Sequence, residues 1–120
     1  NNMLFKFDIS IFSSSKILNM LDLSLNSDLY KFKLNSKNLN SLVELKMFDI
    51  QILTDYLFAN ISNIIRLHLS SCSVDFIWRK AFGNLNQIQN LHLNENRIKD
   101  LNLSLAELKS LRILDLSNNR

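Results

Sequence analysis

The chain has no proline, a single glycine (Gly83) and a single cysteine (Cys72) among its 120 residues. A lone glycine cannot build the glycine-rich loop that cradles a phosphate, which excludes nucleotide binding of that kind. One cysteine closes no disulfide within the chain. With only His68 and His92 beside it, no cluster has metal-ligand spacing. No run is apolar enough for a membrane span, and no signal peptide is evident. Charge of one sign is also scarce: the net charge is +3. Arg66, Arg97, Arg112 and Arg120 are interleaved with Asp49, Glu95 and Asp115, as on a mixed soluble surface and unlike a nucleic-acid footprint. No cofactor is expected.

What the chain does have is a repeat. The pattern LxxLxL begins at Leu18, Leu42, Ile64, Ile88 and Leu111, in steps of 24, 22, 24 and 23 residues. A period in this range marks stacked units. Each pattern fits a strand whose fourth and sixth residues point the same way. These pairs are Leu21 and Leu23, Leu45 and Met47, Leu67 and Leu69, Leu91 and Leu93, and Leu114 and Leu116. One repeat cannot bury its pair alone, but stacking joins all five into one core.

Three positions after the sixth residue stand Asn26, Ile50, Cys72, Asn96 and Asn119. An asparagine amide there bonds backbone groups of its own turn and of the adjacent one. Cys72 offers a weak S–H donor in its place. Ile50 offers nothing, so the ladder of side-chain bonds should break in the repeat that starts at Leu42. Six residues before each start lie Phe12, Ser36, Phe58, Phe82 and Leu105, which predicts an aromatic stack opposite the strands. Three before lie Ser15, Leu39, Ile61, Leu85 and Leu108, a spacing compatible with short helical or 3₁₀ stretches. The first repeat departs from the pattern, with Asp28 at an apolar place and Leu29 and Phe32 one position late. A one-residue slip would let those two fill the core.

Strand positions three, five, seven and eight should face solvent. They give a third-position row of Met20, Glu44, Arg66, Asn90 and Ile113, and a fifth-position row of Asp22, Lys46, His68, His92 and Asp115. The seventh is Ser24, Phe48, Ser70, Asn94 and Ser117, and the eighth is Leu25, Asp49, Ser71, Glu95 and Asn118. Candidate ligand contacts are Lys46, Phe48, Arg66, His68, His92, Asn94, Glu95 and Asp115. Phe48 either anchors a partner or packs on Leu25 and Met20. His68 and His92, as neighbours, repel once both are protonated, which would make binding acid-sensitive. The alternative is a pair of ordinary surface histidines, with His92 bonded to Asp115. Ser70, His92 and Asp115 can be drawn as a triad, but an open sheet has no oxyanion hole and excludes no water, so no catalysis is expected. Two sequons, Asn60-Ile61-Ser62 and Asn102-Leu103-Ser104, make Asn60 and Asn102 possible N-glycosylation sites on the return path.

This layout resembles the leucine-rich repeat family. The resemblance is clearest in VDFIWRKAFGNLNQIQNLHL (residues 74–93), followed by Asn96 and Ile98, and in the closing LRILDLSNNR. It covers the whole chain. It implies an α/β solenoid with a curved parallel concave sheet and a convex side of loops, 3₁₀ turns and short helices. Residues 1–120 would form a single array: a partial repeat over 1–17, then repeats from near 18, 42, 64, 88 and 111, the last truncated. Both ends read as uncapped, as in a fragment of a longer array whose terminal repeats expose core. A period near 24 with phenylalanine in the return path is similar to the extracellular animal type, as in Toll-like receptors. The glycine-and-proline motif of the plant type is missing. The resemblance thus implies a binding module of an innate-immune or adhesion receptor ectodomain, extracellular or endosomal, with no direct membrane contact by these residues. Its partner would be a protein or microbial ligand, with receptor dimerisation. The 22-residue second repeat keeps a cytoplasmic alternative open: an intracellular scaffold, a nucleotide-binding immune sensor or a regulatory subunit.

Overall fold

Among the described residues, five of the seven strands fall on the LxxLxL segments. The computed structural model describes residues 9–12, 14–24 and 39–120. Its strands are β1 (Met20–Asp22), β2 (Glu44–Lys46), β3 (Ile52–Leu53), β4 (Arg66–His68), β5 (Phe76–Ile77), β6 (Asn90–His92) and β7 (Ile113–Asp115). Strands β1, β2, β4, β6 and β7 pair in that order into one parallel sheet. The fourth-position residues stand in one-to-one register: Leu21 beside Leu45, then Leu67, Leu91 and Leu114. Backbone bonds carry the pairing one residue further, from Leu23, Met47, Leu69 and Leu93 N–H to the next strand's carbonyl at 2.8–3.0 Å. Parallel strands need a crossover, and here each repeat's return path supplies it.

The core lies directly behind this sheet. Leu45, Leu67 and Leu91 are fully buried, whereas Leu114 is 38 % exposed because no described strand follows β7. Leu42, Ile64 and Ile88 of the first position and Leu23, Met47, Leu69 and Leu93 of the sixth are buried as well. Across from the strands, Phe58 and Phe82 stack with centroids 6.1 Å apart and planes within 2°. Phe12 packs at the margin of the same core. Leu39, Ile61, Leu85 and Leu108 bury a further row beside the rings. The expectations for Leu25, Asn26, Asp28, Leu29, Phe32 and Ser36 lie outside the described residues.

The turn ladder is made by side chains. Asn96 Oδ1 accepts from Cys72 N and Val74 N at 3.1 and 2.8 Å, and its Nδ2 donates to Leu69 O and Leu93 O at 2.8 and 2.9 Å. Asn119 repeats this one turn later, accepting from Ile98 N and donating to Leu93 O and Leu116 O. Cys72 carries the ladder back to Met47 O through its Sγ at 3.2 Å. Burial pushes that thiol up to about 11. Ile50 adds only apolar packing at the core's edge, so the described ladder stops at Cys72.

Two features were not foreseen. The return path carries a second, two-stranded parallel sheet in which β3 pairs with β5, Ile52 beside Phe76 and Leu53 beside Ile77. Its one described 3₁₀ helix is Ile9–Phe12, and turns make up most of the rest. Secondly, the eighth position turns the chain with a left-handed backbone: φ is 60° at Asp49, 55° at Ser71, 58° at Glu95 and 56° at Asn118. Asp and Asn tolerate that region better than most residues.

Leucine does not. Leu103 has φ 58° and is 69 % exposed. It therefore carries backbone strain of about 1–2 kcal/mol with little burial in return. Leu103→Asn should raise thermal stability by about 0.5–1 kcal/mol, read from paired melting curves; an unchanged or lower midpoint would count against strain at this residue.

Candidate functional site

Register places the predicted rows side by side. Along the fifth position Asp22 neighbours Lys46, then His68, His92 and Asp115, and along the third Met20 neighbours Glu44, Arg66, Asn90 and Ile113. Glu44 is the hub. Its carboxylate lies 2.7 Å from Arg66 Nε, 3.6 Å from Lys46 Nζ and 3.2 Å from His68 Nε2, and its side chain is only 15 % exposed. The Arg66 hydrogen bond leads in holding the Glu44 carboxyl below its usual range. Sequence reading placed Glu44 in the third row but missed it as a site residue. The signal was its cross-strand neighbour Arg66, which the step of 22 residues sets directly alongside.

His68 and His92 stack face to face, with centroids 4.7 Å apart and planes within 2°. Burial depresses the His68 pKa, the neighbouring His92 adds to this, and Glu44 opposes it. His68 Nε2 sits at ion-pair distance from Glu44 but lacks hydrogen-bond alignment, so the carboxylate only partly compensates for burial. Asp115 does not bond His92. Its Oδ1 accepts from Ser117 N and Oγ at 3.0 and 2.7 Å, and these bonds hold its carboxyl low. Asp22 caps Ser24 N in the same way, at 2.9 Å.

A depressed histidine pKa has a definite sign. Between the folded value and the unfolded value near 6.5, the unfolded chain binds more protons, so stability falls as pH drops through that window. Asp22, Glu44 and Asp115 are depressed carboxylates and lose their contribution only lower, below their ordinary values of 3.8 to 4.5. Melting temperature should therefore decline from pH 7 to pH 5, and His68→Gln should flatten that decline. An equal slope in the variant would contradict the assignment.

The outer rows are also tied across repeats. Ser70 Oγ donates to Asn94 Oδ1 at 2.6 Å, and Ser71 Oγ to Glu95 Oε2 at 2.7 Å. Ser70 and Asp115 are thus bonded elsewhere than in a triad with His92. Phe48 is half-buried on the same face. Of the sequon residues, Asn60 is exposed. Asn102 is half-buried with Nδ2 3.4 Å from Ile77 O, and Ser104 is buried. Among the described residues no helix is long and apolar enough to cross a membrane.

Residues 62–120 match the family model described as "Leucine rich repeat". Over 93 residues the chain is 30 % identical to "Probable serine/threonine-protein kinase roco9" of Dictyostelium discoideum, an alignment that covers 73 % of this chain. It covers 3 % of that protein, so the chain spans a small part of its relative's length. With the sequence repeat, the parallel sheet and the family match over residues 62–120 in agreement, the fold is a leucine-rich repeat solenoid.

Proposed function

We propose that the chain is a protein-binding module whose contact surface is the solvent face of the five-stranded sheet. The observation that carries this is the network around Glu44, where Arg66 is hydrogen-bonded to the carboxylate and Lys46 and His68 already lie within ion-pair distance of it before any partner arrives. Side chains already held in place lose little freedom on binding, and mixed charges select partners by electrostatic fit. The cross-repeat bonds of Ser70 with Asn94 and Ser71 with Glu95 extend the ordered surface. The test uses the full-length protein and a partner captured with it. Arg66→Glu puts a second acid beside Glu44 and should weaken binding about tenfold or more. Asn94→Ala should weaken it less, and the return-path control Lys109→Glu should leave it unchanged. Loss with Lys109→Glu alone would overturn the reading.

An intracellular recognition arm is supported at least as well as a receptor ectodomain. The curated relative is named as a probable kinase. On the ectodomain reading, the sheet would take a protein or microbial ligand and support dimerisation. Secretory expression followed by mass spectrometry at Asn60 and Asn102 separates the two. Unoccupied sites on folded protein favour the intracellular arm, and occupied sites favour the ectodomain.

A further inference from the structure

Away from the large sheet, the return paths of three successive repeats form a groove of about 590 Å³ lined by Asp55, Phe76, Trp78, Arg79, Asp100, Asn102 and Leu103. None of these residues belongs to the five-stranded sheet. The pairing of β3 with β5 turns Leu53 and Ile77 inward and leaves Ile52 and Phe76 outward. Phe76 and Trp78 are each 48 % exposed, and their rings meet at 85° with centroids 6.5 Å apart. Such a cluster of half-exposed aromatics is unusual in a protein whose other phenylalanines of the described return path are buried or packed on the core.

The polar groups of the groove are held ready. Asp55 Oδ1 accepts from Lys80 N at 2.7 Å, and Asp100 Oδ1 from Asn102 N at 2.8 Å. Neither carboxylate forms an ion pair with a described residue. The nearby ammonium of Lys80 lies 5.6 Å from the centroid of the Tyr56 ring and within electrostatic reach of Asp55. Arg79 is the single cation of the lining, against two carboxylates. An aromatic surface flanked by two carboxylates attracts an organic cation, and exposed leucine suits the methylene stem behind such a head.

We propose that this groove receives a lysine side chain of a partner protein. The stem lies along Leu103 and Phe76, and the ammonium meets Trp78 between Asp55 and Asp100. The site is independent of the face assigned above, so the chain would hold two contacts at once, one on the sheet and one on its return side.

Trp78 is the only tryptophan, so its fluorescence reads the groove directly. The probes are N-acetyl-lysine amide, its neutral near-isostere N-acetyl-norleucine amide, and N-acetyl-glutamate amide. The lysine probe should change Trp78 emission saturably, with a dissociation constant in the millimolar range expected of one side chain. The norleucine probe should bind about fivefold more weakly or worse. The pair Asp55→Asn and Asp100→Asn keeps both Oδ1 acceptors for the backbone and should weaken the lysine probe about five- to tenfold with an unchanged melting temperature. Equal binding of lysine and norleucine probes, tighter binding of the glutamate probe at Arg79, or no saturable change with any probe would each overturn the proposal.

Discussion

Asn96→Ala should destabilise the protein by about 3–5 kcal/mol and lower its melting temperature by more than about 10 °C. Removing the amide strands Cys72 N and Val74 N, which share its Oδ1, and takes the Nδ2 donor from Leu69 O and Leu93 O. Asn96 is only 6 % exposed, so water has little access to replace these bonds. Each buried orphan costs about 1–3 kcal/mol. Against a typical total stability of about 5–15 kcal/mol, the loss is a large share. Asn119→Ala is the internal comparison. Asn119 makes the same two donor bonds but accepts from one backbone N–H where Asn96 accepts from two, and it is half-buried, so its loss should cost clearly less. Chemical denaturation of both variants checks the order. Equal, small effects would mean that the ladder does not hold the turns.

Phe82→Ala should cost about 3–5 kcal/mol through lost burial and the cavity left behind. The ring is 1 % exposed and lies parallel to Phe58 in the layer opposite the strands. Phe82→Leu keeps most of the apolar volume and should cost about 1.5 kcal/mol or less. A double-mutant cycle with Phe58→Ala should return a coupling of about 0.5–1.5 kcal/mol, because each ring is the other's packing partner. Additive losses would show that the rings fill space independently.

The strand sheet and its rows were legible because the period fixes the register. Leu45, Leu67 and Leu91 recur at steps that place them on one column, and every side chain between them inherits its face. The stack of Phe58 on Phe82 and the roles of Asn96 and Cys72 followed from the same count. What escaped the reading depends on side-chain reach and backbone angle, which spacing does not encode. Glu44 gathers Arg66, Lys46 and His68 because a flexible carboxylate settles among the cations within its radius. Asp115 bends to Ser117, two residues along its own chain, and so leaves His92 to stack on His68. The β3–β5 sheet had a faint signal, since Ile52 and Phe76 share the step of 24 and alternate with buried Leu53 and Ile77. Two-residue strands are too short for alternation to announce them. The left-handed turns at Asp49, Ser71, Glu95 and Asn118 were visible as a row but not as a backbone conformation.

Everything assigned to the sheet face rests on neighbouring repeats meeting in one-to-one register. Disulfide trapping tests this directly, since paired strands set Cα atoms about 5 Å apart, within reach of a disulfide, and strands two apart lie beyond it. The buried Cys72 thiol, with its raised pKa, should stay out of the reaction. In the double variant His68→Cys with His92→Cys, mild oxidation should link the two new cysteines rapidly, as mapped by peptide mass spectrometry. Lys46→Cys with His92→Cys should not link. Trapping of the second pair in preference to the first would contradict the register, and with it the binding surface.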